Sequence, residues 1–217
     1  MNIMSFNYVS LSCDQSTRWN EEIKGKTLVL HLNRWSNQST FKSVIEKKLN
    51  GDEDRFFMSE LMVVAKHPSY QNVIISYDLG QETTKLNQIF IKKIKTCLVA
   101  GGNLFLVIPA QNHLEQFARL LYEYGEVVEC LKGSRTLKKQ LQYYFQEVKC
   151  HHIEWQQHYK QVEDIMHEMI EVYSPLLLHP SFDLEAFKLF IEDRLQKTGP
   201  LIVNRHYLIF KCIHRIT

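Results

Sequence analysis

"NVIISYDLGQETTKLNQIFIKKIKTCLVAGGNLFLVIP", residues 72–109, decides the fold. It opens on NVIIS (72–76), an apolar run of the length and composition of a strand buried on both faces. Thr83-Thr84 then open a helix in which Leu86, Ile89, Phe90, Ile94 and Leu98 recur at three- and four-residue steps. Gly101-Gly102 stop that helix, and NLFLVIP (103–109) is a second buried strand. Strand, helix and strand on such short connections require a right-handed parallel crossover.

Working outward, TLVLHL (27–32) is another apolar run, bounded by Gly25, and reads as a third buried strand. Ser39-Thr40 cap a helix over 40–49 with Phe41, Val44, Ile45 and Leu49 on one face. The segment 51–69 has two open readings: a short strand, Arg55–Ser59, followed by a helix, or one helix up to Pro68. Beyond Pro109, helices are expected over 112–124, with Leu114, Phe117, Leu121 and Tyr124 inward, and over 134–145. VKCHHIEWQQHY (148–159) is strand-like. An amphipathic helix runs over 158–173 through Val162, Ile165, Met166, Met169 and Tyr173 until Ser174-Pro175 breaks it. One more helix follows, ended by Thr198-Gly199-Pro200, and HYLIFKCIHRI closes the chain as a strand antiparallel to 147–157. This is an α/β pattern in a single domain, 1–217.

The bulk properties exclude little else. The 217 residues are 45% hydrophobic and 23% charged, and the net charge of +2 is near balance. The short lysine clusters sit at helical spacing among apolar residues, so they read as solvated helix faces, and no nucleic-acid partner is expected. Five scattered cysteines without a C-x-x-C imply reduced, mostly buried thiols in a cytoplasmic protein. No signal peptide and no membrane-spanning run is legible.

A strand, a helix ending in LVAGG, the strand NLFLVIP and then QNHLEQFARLL resemble the latter half of class I S-adenosylmethionine (SAM) methyltransferases. From GSRTLKKQLQYYF onward the layout is similar to the malonyl-ACP and trans-aconitate methyltransferase branch, where a helical insert, here about 158–200, covers the substrate. The resemblance spans about residues 70–217. It implies a Rossmann-like methyltransferase fold: a mostly parallel sheet, an antiparallel C-terminal strand and a helical cap. The front third departs from it. Only 40 residues, 33–72, separate the first strand from the strand at Val73, too few for the strands and helices of the family pattern. The N-terminal part is therefore expected to be shortened.

The candidate site residues follow from the same comparison. Where the family places glycines that let the backbone approach the cofactor, this chain has Asn33, Arg34 and Trp35. Trp35 can stack on adenine or fill the crevice, and filling is the favoured reading. If Arg55–Ser59 is a strand, Glu60 falls where the family holds the cofactor ribose. Tyr77 and Asp78 follow the strand at 72–76, where α/β sheets place ligand contacts; a solvated turn explains them equally well. The expectation is a methyltransferase-like protein with an eroded site and no cofactor, serving as a binding or regulatory module for a protein partner or acyl carrier. The alternative is an active SAM-dependent enzyme acting on a small carboxylate or carrier-bound acyl group. Cys150, His151, His152 and His158 invite a metal reading, but strand alternation splits them between faces, and none is expected. Met166, Met169, Phe187, Phe190 and Ile191 form either a pocket or an ordinary packing stripe, the latter being the commoner cause.

Overall fold

The computed structural model describes residues 23–31, 49, 52–57, 68–76, 88–110, 113–126 and 137–215. In chain order these form β1 (Thr27–His31), β2 (Glu53–Phe57), β3 (Tyr70–Ser76), α1 (Gln88–Cys97), β4 (Leu98–Pro109), α2 (Glu115–Tyr124), α3 (Leu137–Tyr144), β5 (Glu147–Tyr159), α4 (Val162–Leu177), α5 (Leu184–Thr198) and β6 (Leu201–Ile213).

The apolar runs become neighbours in one six-stranded sheet of order β2-β1-β3-β4-β6-β5. β1 is parallel to β2 and to β3, β3 is parallel to β4, and β6 runs antiparallel to β4. This is the expected Rossmann-like α/β arrangement, mostly parallel with an antiparallel C-terminal strand. β2 is the one strand among the described residues between β1 and β3 in sequence. Of the two readings of 51–69, the strand holds, but it lies two residues earlier than Arg55–Ser59. Its place is fixed by pairing in register with β1, Thr27 opposite Glu53 and His31 opposite Phe57.

Two units make up the chain, and the sheet strands lie mainly in one of them, residues 17–110, 132–153 and 207–217. One sheet face there buries Leu28, Leu30, Val73, Ile75, Leu104, Leu106 and Phe210 against Ile91, Ile94 and Cys97 of α1 and Leu137 and Leu141 of α3. Near the amino ends of β1 and β3, three polar side chains bond to one another and to the backbone. The Asn72 amide donates to the Lys24 carbonyl at 2.8 Å and receives a bond from the Asn103 amide, and the Thr27 hydroxyl donates to the Gly25 carbonyl. Such satisfied buried bonds lock the register of β1, β3 and β4.

The helix before β4 ends sooner than the sequence pattern indicates. α1 stops at Cys97, and Leu98 already pairs with Tyr70. The ladder then slips, and the next pair is Asn72 with Asn103. Gly101, at φ 75°, and Gly102 absorb the slip. A Cβ on Gly102 would lie 2.9 Å from the Val99 carbonyl oxygen and 3.0 Å from that of Gln71. The two glycines therefore serve a bulge within a strand rather than a helix stop. Ile89, expected inward, is exposed, and Ile91 takes the buried position with Ile94.

The other unit comprises residues 1–16, 111–131 and 154–206. In it α4 and α5 pack together, burying Ile165, Met166, Met169, Phe187 and Ile191. Tyr124 of α2 meets Phe187 edge-on at 4.9 Å and lies 5.6 Å from Phe190. The apolar stripe of Met166, Met169, Phe187, Phe190 and Ile191 is thus packing. The break expected at Ser174-Pro175 is a kink within α4: two helical segments meet at Tyr173, whose φ of −117° and ψ of 27° depart from the helix. The proline falls in the first turn of the second segment, where its missing N–H costs no bond. Asp183 caps α5, its carboxylate accepting from the Ala186 N–H at 2.9 Å. The last strand begins earlier than HYLIFKCIHRI, since β6 starts at Leu201 rather than His206.

Candidate functional site

In an open α/β sheet, ligands bind beyond the carboxyl ends of the strands where the strand order reverses, because the loops there diverge and leave a crevice. Here the order reverses at β1: β2 lies on one side and β3 on the other. The carboxyl ends are level, with His31 opposite both Phe57 and Ser76. Adjacent strands are about 4.8 Å apart, so the three ends lie within roughly 10 Å.

Ser76 is the described side chain that marks this edge. It is 5% exposed, and its hydroxyl has no hydrogen-bond partner among the described residues. A buried hydroxyl left unpaired costs about 1–3 kcal/mol. At the amino ends Thr27, Asn72 and Asn103 bond to one another, and one oxygen of Glu53, opposite Thr27 on β2, is also buried and unpaired. At the carboxyl ends of β1 and β3 the unpaired described group is the Ser76 hydroxyl.

The sequence-derived candidates Asn33, Trp35, Glu60, Tyr77 and Asp78 all lie outside the described residues. What the described residues give is the strand end that precedes each. Asn33 and Trp35 follow β1, which ends at His31; Glu60 follows β2, which ends at Phe57; Tyr77 and Asp78 follow Ser76 directly. Glu60 is accordingly three residues past its strand rather than immediately after it. The three segments leave from three adjacent strands at one edge of the sheet.

A second polar cluster lies inside the helical unit, and sequence reasoning missed it. Arg205 of β6, 6% exposed, pairs with Glu168 of α4 and donates to the Gln157 amide oxygen at 2.7 Å and to the Tyr159 hydroxyl at 2.6 Å. Tyr159 in turn donates to Glu168. Burial pushes the Glu168 carboxyl up, and Arg205 pulls it part of the way back. His113, before α2, sets Nδ1 at 3.0 Å from the backbone nitrogen of His206. Burial first, and the nearby Arg205 charge second, lower its pKa to about 3, so it is neutral at pH 7. A signal for Arg205 existed: Val203, Arg205, Tyr207 and Ile209 fall at two-residue spacing on the buried side of β6. The cluster joins strand and helix within its unit and is the architecture of a structural network.

Of the histidine-rich segment, Cys150, His152 and His158 are exposed while His151 is half-buried, the alternation expected of a strand. Cys97 and Cys212 are buried, and burial raises their thiols to about 11 and about 12. Cys150 is exposed, contrary to the general expectation for the cysteines. No helix among the described residues is long and apolar enough to cross a membrane.

No protein-family model matches the sequence, and no curated protein matches it. Solved structures with a similar backbone include a SAM-dependent methyltransferase from Archaeoglobus fulgidus, 13% identical, with 87% of each chain covered and a TM-score of 0.42. Another is the YcgJ protein from Bacillus subtilis, 10% identical, over 90% of this chain and 94% of that one, TM-score 0.45. A third is a phosphoethanolamine N-methyltransferase from Haemonchus contortus, in complex with phosphomonomethylethanolamine and S-adenosylhomocysteine. It is 12% identical over 89% of this chain and 50% of that one, with a TM-score of 0.38.

These findings correct one expectation. A chain without a cofactor was expected from the missing glycines, whereas its structural neighbours are SAM-dependent methyltransferases, one holding S-adenosylhomocysteine. The physical reason lies in what makes the crevice. Strand order and level strand ends create it, and both are present here; glycines only widen one turn of it.

Proposed function

We propose that this chain binds SAM in the crevice at the carboxyl ends of β1 and β3 and transfers its methyl group to a small carboxylate or a carrier-bound acyl group. The observation that carries the reading is Ser76: a buried hydroxyl, unpaired among the described residues, at the reversal of strand order. A polar ligand there supplies the missing bond. SAM brings an activated methyl group, so the chain needs to hold and orient its two reactants rather than provide a nucleophile. Glu60, beyond β2, is suited to accept from ribose hydroxyls, and Asn33, Tyr77 and Asp78 to bound the crevice between β1 and β3. Trp35 would close it or stack in it.

A second reading rests on Asn33-Arg34-Trp35. Side chains in place of glycines narrow the approach to the backbone, and a cofactor held loosely suits a regulatory module that docks a protein partner or acyl carrier.

Calorimetric titration with SAM and S-adenosylhomocysteine is the first test, followed by S-adenosylhomocysteine formation from SAM over a panel of small carboxylates and acyl carriers. Binding with turnover supports the enzyme. Binding without turnover on any acceptor favours the second reading, and no heat with either ligand at millimolar concentration defeats both.

A further inference from the structure

The two edges of the sheet are unlike. β2 is five residues long and carries Glu53, Asp54 and Arg55, a short charged edge that offers another strand little to pair with. β5, at the far end of the strand order, runs for 13 residues without a proline or glycine. It has β6 on one side and, among the described residues, no strand on the other. At about 3.3 Å per residue it presents roughly 43 Å of edge, with about half of its N–H and C=O groups directed outward.

The order of side chains along β5 indicates what fits there. The midpoint of Glu147–Tyr159 is Ile153. A second copy laid antiparallel about a two-fold axis through Ile153 brings each residue opposite the one equally far beyond the axis. His152 then faces Glu154, and Glu154 faces His152. His151 faces Trp155, again twice. Lys149 meets Gln157 and Glu147 meets Tyr159, so no like charges oppose. Alternation keeps each pair on one face: His151 and Trp155 are half-buried, while His152 and Glu154 are exposed. Glu154 already sets one oxygen 3.2 Å from Nδ1 of His206 on β6, so the second copy's imidazole would share that carboxylate. Carboxylate–imidazole and aromatic pairs directly opposite are the pairings that stabilise antiparallel strands. A strand whose two halves complement one another is what a two-fold interface requires.

We propose that β5 pairs with β5 of a second copy of this chain, antiparallel about Ile153, joining two sheets into one. The test uses the full chain. Sedimentation equilibrium of the unmodified protein should give a dimer at micromolar concentration. In a Cys150→Ser background, Ile153→Cys should form a disulfide-linked dimer with oxidised glutathione, because the axial residue alone faces its own mate. His158→Cys in the same background faces Val148 and should cross-link at least tenfold more slowly. Circular dichroism confirms that each variant folds. A monomer at every concentration up to the solubility limit overturns the proposal. So does a dimer in which His158→Cys cross-links as readily as Ile153→Cys.

Discussion

At the scale of single residues, four side chains carry predictions: Ser76, the pair Arg205 and Glu168, and His113. Ser76 is buried with an unpaired hydroxyl, so Ser76→Ala should leave stability unchanged or raise it by about 1 kcal/mol in urea titrations. The same change should weaken S-adenosylhomocysteine roughly 5–10-fold by calorimetry, the worth of one hydrogen bond. A packing role alone would give the reverse: lost stability and unchanged affinity. Arg205 and Glu168 form a buried pair, with side-chain exposures of 7% and 15%. Arg205→Met should therefore cost about 3–5 kcal/mol by stranding the Glu168 carboxylate, while Arg205→Met with Glu168→Leu should recover most of that loss. His113 titrates near 3 in the folded chain against 6.5 when exposed. Between those values the unfolded chain holds the proton and the folded chain does not, so stability falls as pH drops through 6.5 towards 3. The loss should reach about 2–3 kcal/mol by pH 4.5. Glu168, shifted upward, acts in the opposite sense, its share diminishing as pH rises above the ordinary carboxylate range. Comparing urea midpoints at pH 7 and 4.5 for wild type and His113→Asn isolates the histidine; equal slopes would rule its contribution out.

At the scale of elements, the bulge before β4 sets what sequence could tell. Gly101-Gly102 was legible as punctuation but not as a bulge, because a helix stop and a strand irregularity use glycine for the same freedom at positive φ. The distinction lies in Gly102, whose missing Cβ leaves room for two carbonyl oxygens. Gly102→Ala should thus destabilise by about 1–3 kcal/mol in urea, since backbone rather than a flexible side chain must yield. A midpoint unchanged from wild type would show that the close approach carries no cost. The buried strands at 72–76 and 103–108 were plain from composition, because strands covered on both faces need no polar alternation. β2 was harder: EDRFF has no period distinguishing it from a helix, and only pairing with β1 decides it. Arg205 and Glu168 were missed because a charge on an apolar face has meaning only with its partner, and these two are 37 residues apart in sequence. Asn33, Trp35, Glu60, Tyr77 and Asp78 were chosen by their place after an expected strand, and they lie outside the described residues.

At the scale of the whole molecule, the proposed cofactor site belongs to the unit that holds β1, β2 and β3. A ligand that binds the folded chain and not the unfolded one stabilises it by mass action, by about 2.7 kcal/mol at a hundredfold excess over Kd. S-adenosylhomocysteine should therefore raise the urea midpoint in proportion to the logarithm of its concentration once it exceeds Kd. Hydrogen exchange then places the effect. Protection should concentrate in the segments that follow His31, Phe57 and Ser76, because those leave from three level, adjacent strand ends. The amino ends of the same strands, already closed by Asn72, Thr27 and Asn103, should gain protection only to the extent of the global stabilisation. In Ser76→Ala the same pattern should persist at a several-fold higher ligand concentration. Stabilisation accompanied by protection at the amino ends, or confined to α4 and α5, would place the ligand elsewhere and withdraw the crevice from the proposed function.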